Sequence, residues 1–195
     1  AWDDYWPTAS APQGGFTKKA IAARMLCNTC MAYLAVQGSC EQVSQRLQEQ
    51  FAAQQSMTLV FGALQAAVHN QHPLAEQQLQ QFASRWQHEP LVMDKWLAVQ
   101  ATARYPTTVA KVAALTEHSA FDWGNPNRVY ALLASFSHNF AQLHQADGTG
   151  YALLVAAIKR LNSSNPQVAS RLLSPLLNWR RFNDARQGLL QQVLS

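Results

Sequence analysis

The side chains of this sequence that are able to do chemistry fall into a few small groups, and the spacing of each limits what it can do. Cys27-x-x-Cys30 is a paired-thiol motif. A structural zinc site takes four ligands, usually from two such pairs, and Cys40, His69 and His72 are what the sequence offers to complete one. Both thiols, however, fall inside an amphipathic helical stretch and not in a knuckle turn, which is the setting of small buried hydrophobes. A redox pair calls for a strand-to-helix junction, and none is read here.

His88-Glu89-Pro90-Leu91-Val92 is the nearest approach to His-Glu-x-x-His. It has Val92 where the second imidazole should stand and a proline in the middle, so it cannot place two ligands on one helical face. No Gly-x-Ser-x-Gly elbow, phosphate loop or dinucleotide fingerprint is present. Asp147-Gly148-Thr149-Gly150 is too short to cradle a phosphate and reads as a turn before a helix. Of the six tryptophans, Trp86 and Trp96 lie on apolar helical stripes, which assigns them to core packing and not to base stacking. Arg171 stands three positions after Val168, near the expected N-terminal turns of a helix, where the helix dipole and a guanidinium together favour an anion.

The elements that must position these residues are helical. Of 195 residues, 48% are hydrophobic and 13% charged, a balance that excludes a disordered chain and suffices for a real core. Ala, Leu and Gln dominate, and alternating β-branched runs are missing. The net charge of +4 is uneven: from Arg128 to Ser195 there are seven basic and two acidic residues, against eight and nine before. The basic residues are scattered, which argues against a nucleic-acid surface. No apolar run reaches the length of a membrane span, and no signal peptide is read. Three cysteines make no disulfide framework, so a reducing compartment is the default.

Pro7, Pro12 and Gly14-Gly15 break up residues 1–16, which read as an irregular linker or interdomain tail whose Trp2, Tyr5 and Trp6 suit a partner domain. From Thr17, an N-cap, capped amphipathic stripes follow one another: Ile21, Met25, Leu26 and Leu34 up to Gly38; Val43, Leu47 and Phe51; Leu64, Ala67 and Val68; Leu79, Phe82 and Trp86. Then come Val92, Met93, Trp96 and Leu97 after Pro90, and Val109, Val112 and Leu115. Asn125-Pro126 and Asn165-Pro166 each supply a cap followed by proline at the first helical position. The first of these opens Val129, Leu132, Leu133 and Phe136; the second opens Val168, Leu172, Leu173 and Leu176, with Pro175 bending or ending it. Between them lies a stripe of Tyr151, Leu154, Val155, Ile158 and Leu161; Phe182, Leu189, Leu190 and Val193 form the last. The expectation is an all-α protein in which 17–195 form a single helical-repeat domain, a superhelical stack of antiparallel helix pairs of the HEAT or armadillo kind, cut from a larger chain. A compact helical bundle is the alternative.

Four segments in order, Leu91-Val92-Met93-Asp94-Lys95-Trp96, Asn125-Pro126-Asn127-Arg128, Asp147-Gly148-Thr149-Gly150-Tyr151 and Asn165-Pro166-Gln167-Val168-Ala169-Ser170-Arg171-Leu172, resemble the C-terminal domain of the bacterial aminopeptidase N family. The resemblance covers roughly residues 17–195. It implies a cytoplasmic zinc peptidase that removes N-terminal residues from peptides, with zinc and catalytic glutamates in an earlier thermolysin-like domain. The C-terminal domain would be a helical superhelix that caps the catalytic domain and encloses the cavity over its active site. Its partners would be that catalytic domain and the peptide substrate, with neither nucleic acid nor membrane. The resemblance also implies that Arg171 lines the cavity and meets the distal part of a peptide. In an array of helix pairs every second helix starts at the same end, so the helices opened by Asn125-Pro126 and Asn165-Pro166 are expected to begin side by side, with Arg128 and Arg171 making a positive rim that attracts the peptide carboxylate. A second family arginine, two positions after Arg128, is replaced by Tyr130. The alternative function is a free-standing helical-repeat scaffold that binds proteins or peptides; a parent gene carrying His-Glu-x-x-His upstream would decide between them. The chain alone is expected to hold no stoichiometric zinc and to leave aminoacyl substrates uncleaved. Elemental analysis after exhaustive dialysis checks the first, and turnover that co-elutes with the pure chain would overturn the second.

Overall fold

The structure is a computed structural model that describes residues 1–11, 16–53 and 56–194, and the regular elements among these are all helical. The chain divides into two compact units, Ala1–Arg85 and Trp86–Ser195.

The stretch expected to be irregular carries a helix, α1 (Trp2–Ala9). Trp2 and Trp6, four residues apart and so on one face, stack with ring centroids 4.7 Å apart and planes 16° apart. Asp3 and Asp4 sit in the first turn, where the helix dipole favours acids, and Asp3 pairs with Arg46. Pro7 lies inside the helix and removes the bond to the Asp3 carbonyl alone. Ser10 closes the end, its N–H and hydroxyl both donating to the Trp6 carbonyl. Gly14-Gly15 and Pro12, which suggested the irregular reading, lie outside the described residues.

Trp2 is buried and its indole N–H donates to the buried Gln50 of α3 (Glu41–Phe51), at 3.0 Å. Gln50 Nε2 in turn donates to the Leu59 carbonyl of α4 (Met57–His69) and to Asn28 Oδ1 of α2 (Lys18–Val36). One amide thus joins four helices, and a buried amide left unpaired would cost about 1–3 kcal/mol.

Thr17 caps α2 as expected, its hydroxyl oxygen accepting from the Ala20 N–H, and Gly38 follows the helix at φ +104°. The expected apolar stripe is corrected. The buried face of α2 is Ala20, Ala23, Cys27, Met31 and Ala35, whereas Ile21, Met25 and Leu26 face outward with Tyr33 and Val36. Met25 is 64% exposed, Tyr33 73% and Val36 71%. The helix is apolar on several sides, so pattern alone did not choose the face. The small side chains won the interior because α2 packs against both α1 and α4, and small residues let backbones come close. Beyond α4, α5 (Ala75–Trp86) buries Leu79 and Phe82, and Phe82 meets Phe61 of α4.

The second unit opens with α6 (Pro90–Ala101), Pro90 at its first position, and α7 (Thr108–Leu115). Asn125 caps the next run, its side-chain oxygen accepting from the Asn127 N–H. That run is not uniform: α8 (Pro126–Val129) passes into a π-turn over Tyr130–Ala134 and returns as α9 (Ser135–Ser137). The expected stripe of Val129, Leu132, Leu133 and Phe136 is fully buried. A four-residue helix, α10 (Phe140–Leu143), follows; the sequence reading placed none there. Then come α11 (Thr149–Ser164), α12 (Pro166–Leu173) and α13 (Asp184–Leu194). Asn165 caps α12 at Val168 N, and Pro175 sits in the 3₁₀ turn that ends it.

Asp147-Gly148-Thr149-Gly150 is the expected turn. Asp147 Oδ1 accepts from both the N–H and the hydroxyl of Thr149, and those bonds hold its carboxyl below its ordinary range. Gly148 takes φ +73°, which side-chain-bearing residues rarely adopt. Gly150 is needed for a different reason: a β-carbon there would stand 2.5 Å from the backbone oxygens of Gln142 and Leu143. Gly150→Ala should therefore lower stability by about 1–3 kcal/mol. Gly188→Ala in α13, where a β-carbon meets nothing within 4 Å, should be neutral or stabilising. Chemical denaturation midpoints of the two variants check the contrast.

His72 and His144 are buried and burial holds both imidazoles below the ordinary histidine value of 6.5, the charge of Arg186 adding to the effect at His144. His72 Nδ1 accepts from the Leu74 N–H and its Nε2 faces Ser44 Oγ at 3.3 Å. Below pH 6.5 the unfolded chain takes up protons that the folded chain refuses. Stability is thus complete above that value and declines as pH falls toward the depressed folded values. The melting temperature should drop between pH 7 and 5, with a shallower slope in His72→Asn.

Candidate functional site

The two arginines singled out in the sequence are placed differently. Arg128, the third residue of α8, is largely buried and turned toward the first turn of α6: Nη1 donates to Asp94 Oδ1 at 2.7 Å and to the Pro90 carbonyl at 2.8 Å. Its charge is met at close range, so the expected contribution of Arg128 to an open positive rim is not there. Asp94 lies 34 residues away and no local spacing announces it.

Arg171 is exposed, and its Nη1 donates to the Tyr130 hydroxyl at 3.2 Å, with the guanidinium 5.8 Å from the Tyr130 ring centre. The remaining N–H donors of the fork are left for other acceptors. Because α12 is only eight residues long, Arg171 stands in its last turn, not near its N-terminus. The dipole there stabilises the arginine itself and does not add to an anion site. Tyr130 opens the π-turn two residues after Arg128, so the residue that replaces the family's second arginine is the one that holds Arg171.

The thiol and imidazole groups do not assemble. Cys27 is fully buried and its thiol is pushed up to about 11, by burial first and by Cys30 second. Cys40 is exposed at the N-cap of α3, and His72 has both ring nitrogens engaged. Among the described residues no group of three or more His, Cys, Asp or Glu side chains is arranged to hold a metal ion. The side chains present therefore do not fit a catalytic zinc. Trp96 is buried in the second unit, 5.2 Å from the His118 ring, as its apolar stripe required.

A cluster that the sequence did not single out lies in the second unit. His144, at the end of α10, is buried with Nδ1 2.7 Å from the hydroxyl of the fully buried Tyr151. Its ring packs against Phe140 at 4.5 Å and Phe182 at 4.4 Å. Arg186 Nε donates to the His144 carbonyl, and Asn183 Oδ1 caps the Arg186 N–H. Phe140, His144, Phe182, Asn183 and Arg186, with Arg181, line an open cavity of about 500 Å³. The Phe140–His144, His144–Tyr151 and Asn183–Arg186 contacts are local, whereas those that bring Phe182 and Arg186 to His144 span about 40 residues of sequence.

Among the described residues no helix is long and apolar enough to cross a membrane. The chain is similar to aminopeptidase N of Haemophilus influenzae, at 37% identity over 91% of its length, and to aminopeptidase N of Escherichia coli, at 38% over 89%. Aminopeptidase N of Caulobacter vibrioides is 38% identical over 93% of the chain. The chain spans about a fifth of the length of these relatives. The solved structure of Legionella pneumophila aminopeptidase A in complex with aspartic acid superposes with a TM-score of 0.87 at 29% identity, over 99% of this chain and 24% of that one. The all-helical reading, the repeat architecture and the aminopeptidase N resemblance of the sequence meet in one further match, to a family of ARM repeats described as a domain of unknown function. Matched over residues 3–195, the chain belongs to that family, DUF3458_C.

Proposed function

We propose that this chain is the non-catalytic C-terminal domain of a zinc aminopeptidase that removes N-terminal residues from peptides. In this reading it caps the catalytic domain, encloses the cavity over the active site and so controls peptide access. The observation that carries the proposal is the similarity, over nearly the whole chain, to about a fifth of aminopeptidase N. Zinc and its ligands then belong to the preceding catalytic domain, in keeping with a donor set here that does not fit the metal. The outward apolar face of α2, from Ile21 to Val36, supports a covering partner, and the catalytic domain is the partner this reading supplies. A cytoplasmic location is part of the same reading.

Within it, Arg171 is the side chain that meets the distal end of the substrate. Tyr130 positions it, and Arg128, anchored on Asp94, fixes the helix that carries Tyr130. A guanidinium contact to the C-terminal carboxylate of a short peptide, partly shielded, is worth on the order of 1.5–3 kcal/mol. Arg171→Ala in the full-length protein should raise KM for short free-carboxylate peptides about tenfold or more. Aminoacyl anilides, which lack that carboxylate, should keep their KM. A smaller shift of the same sign is expected for Tyr130→Phe. Equal effects of Arg171→Ala on both substrate types would remove the carboxylate role.

A further inference from the structure

The cavity at the end of α10 has the features of a ligand site independent of Arg171. Its volume of about 500 Å³ lies within the range of small-molecule pockets. One wall is aromatic: Phe140, His144 and Phe182 pack together, Phe140 and Phe182 with ring centres 6.4 Å apart. Phe140 is 68% exposed while Gln142 and Leu143 of the same helix are buried, so one face of its ring is open to an incoming flat group.

The polar side is cationic. The Arg181 side chain has no hydrogen-bond or ionic partner among the described residues. Arg186 spends its Nε on the His144 carbonyl, which aims the guanidinium without using its two terminal nitrogens. No acidic side chain is among those lining the cavity. His144 is 8% exposed and adds no charge to compete, since burial and Arg186 keep its imidazole neutral near pH 7. Nδ1 is engaged by the Tyr151 hydroxyl, and Nε2 has no partner among the described residues. Two unneutralised guanidinium groups thus border an aromatic wall, an arrangement that satisfies an anion at one end and a ring at the other.

We propose that this cavity binds a small planar anion, an aromatic ring carrying a carboxylate or a phosphate. The ring lies against Phe140 and Phe182, and the anionic group meets Arg181 and Arg186. Association of one small ligand is opposed by lost translational freedom, so half-saturation on the order of 1 mM is expected for a single-ring ligand.

The test uses the full-length protein and fluorine NMR line broadening of three probes: 4-fluorobenzoate, 4-fluorophenyl phosphate and the neutral 4-fluorobenzamide. At least one of the anions should broaden while the benzamide stays sharp, and the relative strength of the two anions identifies the preferred group. Arg181→Gln alters an exposed side chain and should leave the melting temperature unchanged, and Phe140→Ala, which gives up its contacts with His144 and Phe182, should lower it only slightly. Each should weaken anion binding about tenfold. Anion binding that both variants retain, benzamide binding equal to that of benzoate, or no binding by either anion would overturn the proposal. Peptidase turnover does not enter the readout, so this outcome is separate from that of the Arg171 experiment.

Discussion

The second unit is organised around a contact between two stretches of backbone. Gly150 brings the first turn of α11 against the carbonyl oxygens of Gln142 and Leu143, closer than any side chain allows. That approach seats Tyr151 in the core, and the Tyr151 hydroxyl holds His144 Nδ1. The His144 carbonyl then takes Arg186 Nε, which ties α13 to the end of α10. The aromatic wall and the cationic side of the cavity are thus successive consequences of one missing β-carbon. The turn before α11 serves the same end: Gly148 and the Asp147 carboxylate set the direction from which the helix enters.

The first unit is held by a complementary device. Where α11 approaches through glycine, α2 approaches α1 and α4 through alanines, Cys27 and Met31. Close packing of small residues leaves little tolerance for polar groups, and the amide that enters between these helices is fully engaged: Gln50 with Trp2, Asn28 and Leu59. The larger apolar side chains of α2 are displaced to the outside, which gives the helix two apolar faces of different kind.

The features that were legible in the sequence are those set by neighbours along the chain. Thr17, Asn125 and Asn165 act as caps, Pro126 and Pro166 open their helices, and Asp147-Gly148-Thr149-Gly150 turns, because each needs only a few residues of local geometry. The stripes of the α8–α9 run and of α11 were legible because their large apolar residues occupy one face. The stripe of α2 was not, since apolar residues surround that helix and tertiary crowding selected the small ones. Helix α1 was hidden by prolines, and it forms because the Trp2–Trp6 stack and the Gln50 bond outweigh one lost backbone bond. The site was the least legible part. Arg128 with Asp94, Arg171 with Tyr130 and Arg186 with His144 are joined across 34 to 42 residues, where no spacing rule operates.

The π-turn at Tyr130–Ala134 bears on how members of this family are compared. A π-turn holds one residue more than the α-turn it replaces. A chain one residue shorter here can close the same run as continuous α-helix, with Phe136 still buried. The turn spans about the same rotation with one residue more, so the helix on either side keeps its faces in both forms. Arg128 would still face Asp94, and only the side chains within the turn, Tyr130 among them, would be redistributed. Homologous chains can therefore differ by a single insertion in this helix and keep their cores while exchanging the residue presented to Arg171. An alignment through the segment has meaning only when it is anchored on both sides, at Asn125-Pro126 and at Phe136, before position 130 is compared.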